Sequence, residues 1–271
     1  MSLDPTTSLV QTEFNLRDHD DRRHRAHPIQ VIYPSSSQPC GFKLDENALC
    51  SMFNHPSVAN KKVVVISIAG TLRKGKSFLL NFFLEYLYTL QTAQQKDVLL
   101  DWLMDDTQIE GFHWKGGAKR DTIGVYLWGE PILIEAASGE TYAVVLMDTQ
   151  GIFEGESPTD MSLTIFYLST LLSSMQIYNI ADVITEDSLL NLLFFVNYGT
   201  LFSTEMNSYA PPLQTLVFLV RDFKLADEYT YGAEGGHSYL ESVLNLSTKA
   251  SHNSSLYTSH PNMIPFSDKR Y

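Results

Sequence analysis

Residues Gly70 to Ser77 read G-T-L-R-K-G-K-S, a match at every position to G-x-x-x-x-G-K-[ST]. What flanks this stretch fixes its meaning. Val63 to Ile68 (VVVISI) is a short β-branched run that suits a strand covered on both faces. Ser77 to Leu90 is rich in Phe and Leu and long enough for a buried helix. Strand, glycine loop and helix form the opening unit of a βαβ fold. The backbone N–H groups of such a loop turn inward and cradle phosphate oxygens, and the helix adds its positive end. In this reading Lys76 reaches the β- and γ-phosphates, the Ser77 hydroxyl ligates Mg2+, and Gly75 lets the backbone approach the phosphate closely. A tight turn without a ligand would have no use for Arg73, Lys74 and Lys76 side by side in a chain of 19 Lys+Arg against 31 Asp+Glu, net charge −12.

A phosphate loop of this kind works with a carboxylate at the end of a neighbouring strand, which holds the metal through water. Tyr142 to Asp148 (YAVVLMD) supplies one, and Asp148 to Gly151 reads D-x-x-G. Gly151 is placed to offer its N–H to a γ-phosphate, so that loss of the phosphate releases the segment that follows. Between the two motifs lies Thr122, in the stretch KRDT, as the threonine expected to close over Mg2+ and the γ-phosphate. A base reader belongs at the end of a later strand, and Leu216 to Asp222 (LVFLVRD) is the candidate. The Asp222 carboxylate accepts from N1–H and the 2-amino group of guanine; adenine offers no such pair of donors. Hydrogen bonds to a charged acceptor contribute about 1.5–3 kcal/mol each, so two discriminate strongly. The spelling N-K-x-D is absent, and Arg-Asp at a strand end also reads as a surface ion pair.

Hydrophobic residues make up 44% of the 271 and charged residues 18%, the composition of a globular chain. The acidity argues against a general polyanion binder, so no nucleic-acid partner is expected. No apolar run approaches the roughly 20 residues that cross a bilayer, so no transmembrane segment is expected. The N-terminus lacks the basic-then-apolar pattern of a signal peptide. Cys40 and Cys50 have neither metal nor disulfide spacing, which fits a cytosol-facing setting. Residues 1–28, polar and charged, are expected to form a disordered tail. Further along, Gln30 to Tyr33 is expected as a strand and Leu44 to Phe53 as a helix capped by Asp45. A loop is expected over 111–124, then two strands, Val125 to Glu135 and Thr141 to Met147, about a Ser138–Gly139 turn. A helix follows over Ser162 to Ser174, a strand over Gln176 to Asn179, a helix over Glu186 to Tyr198, a strand over Leu213 to Val220, and a short helix over Ser238 to Leu246. From Ser247 onward no periodicity is visible. The alternation points to an α/β fold, a mostly parallel sheet with helices on both faces.

Four ordered stretches, GTLRKGKSFLLNF, GFHWKGGAKRDTIG, VLMDTQG and FLVRD followed by YGAEGG, resemble the atlastin GTPases of the guanylate-binding-protein branch of the dynamin-like superfamily. LDENAL and QIYNI match as well, and the resemblance covers Gln30 to Leu246. It implies a P-loop NTPase G domain over 29–246 and a divergent, irregular tail over 247–271, with the chain truncated after most of the G domain. It implies GTP and GDP as ligands, Mg2+ held through Ser77, Thr122 and Asp148, and GTP hydrolysis. Arg73 matches an arginine finger acting in cis, a device worth about 10³–10⁵ in rate. Lys74, Gly75, Lys76, Ser77 and the adjoining Phe78 match the family's phosphate loop. Thr122 matches the switch threonine, Asp148, Gln150 and Gly151 the second switch, and Arg221 and Asp222 the family's base motif in place of N-K-x-D. A nucleotide-dependent homodimer or heterodimer through the G domain is implied too, as is association with the endoplasmic reticulum and its membrane fusion. Lys115 departs from the family, standing where arginine occupies the Trp-x-Gly-Gly turn; lysine cannot make the same planar two-pronged contact. The competing expectation is a truncated interaction module that binds guanine nucleotide, hydrolyses it poorly and modulates full-length partners.

Overall fold

The computed structural model describes residues 26–35, 41–71, 74–96, 101–103, 107, 109–114, 122–151, 159–193, 215–250 and 263–267. Its strands are β1 (Pro28–Pro34), β2 (Phe42–Leu44), β3 (Lys62–Gly70), β4 (Val125–Trp128), β5 (Ile132–Glu135), β6 (Thr141–Thr149), β7 (Met175–Ala181), β8 (Leu216–Arg221) and β9 (Met263–Ser267). Its helices are α1 (Glu46–Phe53), α2 (Lys76–Lys96), α3 (Thr159–Leu172) and α4 (Ala233–Ala250), and residues 186–193 are helical as well.

Among the described residues these strands form one sheet in the order β2-β1-β4-β6-β3-β7-β8-β9, with β5 beside β6. The block β6-β3-β7-β8-β9 is parallel throughout. Antiparallel pairing is confined to the other end, where β4 and β5 lie end to end along β6 and β1 joins β4 to β2. Period-two alternation decides which side chains meet which helix. Val144 and Leu146 of β6, Ile68 of β3, Ile177 of β7 and Val217 and Leu219 of β8 face Leu80, Leu84, Leu87 and Tyr88 of α2. On the opposite face Val145 and Met147 pack with Val65, Met52 and Ile165, while Tyr178, Phe218 and Val220 pack with Tyr239 and Leu240 of α4. The central strands are therefore apolar at nearly every position, as a doubly covered sheet requires.

Local signals account for most of the elements. Asp45 caps α1, its Oδ1 accepting from the Ala48 N–H at 2.9 Å. The Ser138–Gly139 turn joins β5 to β6, with Gly139 at φ +79. The continuous strand expected over Val125 to Glu135 is instead two strands, broken by a bend at Gly129 and Glu130 before Pro131, which has no N–H to give to a ladder. The helix expected to begin at Ser238 begins at Ala233. Gly235, a helix-weakening residue in sequence terms, sits where a Cβ would meet Thr230 O at 1.9 Å, so the glycine is what lets the helix start against that carbonyl. The irregular tail expected from Ser247 is not irregular throughout: α4 continues to Ala250, and β9 pairs parallel with β8 from Leu216↔Met263 to Val220↔Ser267. Pro265 within that short run hides it from a strand reading, yet proline is tolerated in a strand at the end of the sheet. Of the tail expected over 1–28, residues 1–25 lie outside the described residues, and Pro28 already pairs with Trp128. Among the described residues no helix is long and apolar enough to cross a membrane.

Candidate functional site

Four neighbouring parallel strands, β6, β3, β7 and β8, end on the same edge of the sheet. Register places Ile68 beside Asp148, Gly70 beside Asn179, and Ala181 beside Arg221. The carboxyl edge of such a sheet is where α/β folds carry their ligands, and most of the candidate residues lie on it.

The glycine loop leaves β3 at Gly70, whose φ is +149 and where a Cβ would come within 2.4 Å of Asn179 O. It enters α2 through Gly75, at φ +65. The Lys74 carbonyl between them accepts from Asn179 Nδ2 at 2.9 Å and from Arg221 Nη2. Arg221 Nε in turn donates to Asn179 Oδ1 at 2.8 Å. Lys76 is buried, and its Nζ donates across the loop to Thr71 O at 3.0 Å. Arg73 and Lys115 lie outside the described residues.

Beside the loop, Ser77 Oγ donates to Asp148 Oδ2 at 2.6 Å, Thr122 Oγ1 donates to the same oxygen at 3.1 Å, and the two hydroxyls stand 3.2 Å apart. Three residues singled out separately, from positions far apart in the chain, thus converge on one point. Asp148 is only 2% exposed, and its Oδ1 is buried without a hydrogen-bond partner. Burial pushes its carboxyl up to about 6, against the opposing pull of the Ser77 hydroxyl, the Lys76 charge and the Thr122 hydroxyl. A dry carboxylate with a spare oxygen and two hydroxyls around it fits a hard divalent cation. Mg2+ takes few protein oxygens and completes its shell with water and phosphate. Among the described residues no cluster of three or more His, Cys, Asp or Glu offers a different metal site.

The remaining candidates divide. Gln150 is buried, but its side chain faces the stretch after Thr122: Oε1 accepts from the Gly124 N–H at 3.0 Å, while the Gln150 backbone N–H donates to Gly124 O at 3.0 Å. It therefore ties the D-x-x-G turn to the threonine segment. Gly124 is required there, since it sits at φ +85 with Ile32 O 2.0 Å from where a Cβ would be. Gly151 is buried at the end of that turn. Phe78 stacks edge-on between Phe82 (5.0 Å) and Trp114 (4.8 Å), and Trp114 is 50% exposed. Asp222 is exposed, in a left-handed conformation at φ +54 that aspartate tolerates. Arg221, by contrast, is turned onto the glycine loop. Asn179 was absent from the sequence candidates. The available signal was an amide near the carboxyl end of a buried run, QIYNI, beside the glycine loop's own strand.

The family model described as "Guanylate-binding protein, N-terminal domain" matches residues 40–264, beyond the Leu246 at which the resemblance was expected to stop. The chain is 41% identical over 224 residues to atlastin-1 of Macaca fascicularis, covering 82% of this chain and 38% of that protein. It is 43% identical over 220 residues to human atlastin-3, covering 81% and 39%. To atlastin-2 of Xenopus laevis it is 38% identical over 243 residues, covering 89% and 41%. The chain thus spans about two fifths of the length of these relatives.

Proposed function

The chain belongs to the guanylate-binding-protein family, and from that premise we propose that it binds GTP and GDP with Mg2+ and hydrolyses GTP at the carboxyl edge of its sheet. The observation that carries this reading is the meeting of Ser77, Thr122 and Asp148 on one oxygen beside the Lys76 loop.

In the proposed mechanism the N–H groups of Lys74 to Ser77 hold the phosphates, and Lys76 leaves the Thr71 carbonyl to neutralise their β and γ oxygens. Ser77, Thr122 and Asp148 would hold Mg2+, which would supply charge neutralisation to the phosphates. Asp148 serves ionised, holding the metal through water, and not as a base. Arg73 stabilises charge on the transferring phosphoryl group, and no side chain need abstract a proton, because positioning and fixed charge suffice. Gly151 N–H senses the γ-phosphate, and Gln150 carries that state to the Thr122 segment through Gly124. Phe78 flanks the loop, Asp222 reads guanine, and Arg221 braces the loop next to it. Nucleotide-dependent pairing of G domains, a cytosol-facing place at the endoplasmic reticulum and a part in membrane fusion are proposed on the likeness to atlastins.

Single-turnover hydrolysis of GTP by the purified chain tests the reading. Phosphate release that disappears in K76A supports it; tight GTP binding with no release in the wild type refutes hydrolysis. That second result would favour a binding module that modulates longer partners, a reading motivated by Lys115 in place of arginine. Light scattering with GDP, and with GTP during turnover, reports whether the domains pair.

A further inference from the structure

We propose that Asn179 is a positioning residue for the phosphate loop: it fixes the Lys74–Gly75 peptide so that the Gly75 N–H faces the β-phosphate. The inference rests on the nucleotide-binding reading above and adds to it a residue to which neither the motifs nor the family resemblance gives a role.

Asn179 is 1% exposed and sits on β7, next to Gly70 in register. Its amide has one donor side and one acceptor side, and each has found a partner of the right kind. Nδ2 donates to Lys74 O, a pure acceptor, and Oδ1 accepts from Arg221 Nε, a pure donor. Flipping the amide would break both bonds, so the orientation is determined by its surroundings. Arg221 Nη2 closes the triangle on the same Lys74 carbonyl.

The consequence follows from peptide geometry. In a planar trans peptide the C=O of one residue and the N–H of the next point in opposite directions, and the described backbone holds no cis bond. Two donors anchored on β7 and β8 draw the Lys74 carbonyl toward them, so the Gly75 N–H is aimed away from those donors. Gly75 at φ +65 makes the peptide otherwise easy to turn over, since glycine carries no Cβ penalty in either orientation. Asn179 thus removes a freedom that the glycine introduces.

The test compares GDP and GMP, which differ by the β-phosphate, in calorimetric titrations of the whole chain. N179D keeps the shape and the acceptor for Arg221 but removes the donor to Lys74; N179A removes both and adds no charge. Both variants are expected to lose roughly tenfold in the GDP-to-GMP affinity ratio, the scale of one or two hydrogen bonds, with GMP affinity within about twofold of wild type. An Asn179 that only stabilised the fold would lower the melting temperature and leave that ratio untouched. Unchanged ratios in both variants, with wild type binding GDP, overturn this inference alone. A wild type that binds neither nucleotide overturns it together with the function proposed above. Should N179A fail to fold, N179D decides, since its pairing with Arg221 is retained.

Discussion

Replacing Asp148 by asparagine is expected to remove two opposed pH dependences, one of stability and one of ligand binding. The carboxyl is raised from 3.8 to about 6, chiefly by burial. A raised acid favours its protonated form in the native state, so its contribution is fully present below about pH 3.8 and is lost as pH climbs through about 6. The full loss is roughly 3 kcal/mol. Asparagine keeps the shape and offers an oxygen to Ser77 and Thr122 without ionising. Its amide nitrogen then takes the place of Oδ1, which is buried without a partner, at a cost of about 1–3 kcal/mol that does not vary with pH. In the absence of nucleotide, D148N should therefore be the less stable protein near pH 4. Relative to wild type it should gain about 2–3 kcal/mol between about pH 4 and 6.5, reaching or passing it near pH 7. Urea unfolding of both proteins across that range measures the difference directly. With Mg2+ and GDP present the wild type should bind more tightly as pH rises through about 6, as the carboxylate ionises to meet the cation, and D148N should show no such rise. Parallel stability profiles for the two proteins would refute the claim that this carboxylate is held dry at a cost.

Other consequences are more local. G70A places a Cβ 2.4 Å from Asn179 O at φ +149; it should lower stability by roughly 3 kcal/mol, read as a fall in the urea midpoint, and an unshifted midpoint would contradict the close packing of β3 on β7. N81A strips both bonds from the Phe112 backbone, at 2.7 and 3.0 Å. It should cost about 2–4 kcal/mol and alter the fluorescence of nearby Trp114, which unchanged emission would argue against. D222A should erase the preference for GTP over ATP in competition binding while keeping phosphate-dependent affinity; a preserved preference would remove Asp222 from base reading.

The glycine loop was legible because its requirements are local. Positive φ at Gly70 and Gly75, a lysine and a hydroxyl at the start of a helix, and an apolar strand before them all fall within one short stretch. Asp148 was legible for the same reason, as the first acid after a buried run. What escaped depends on which strands become neighbours. The Asn179 bond to Lys74 spans 105 residues and exists only because β7 lies beside β3. Arg221 looked like half of a base motif, and only the adjacency of β7 and β8 turns its guanidinium onto the loop. Gln150 could be placed in the right turn, but not aimed at Gly124, without knowing that β4 runs antiparallel to β6. Strand β9 is not legible in the sequence because five residues around a proline carry little pattern of their own and gain their role from the edge of β8.

Calorimetry on the folded, nucleotide-free chain weighs the whole account most directly. With Mg2+ present, GDP should release heat at a stoichiometry of about one, ADP should release little, and K76A should respond to neither. A folded wild type that is silent to GDP, or that takes up ADP equally well, would contradict it.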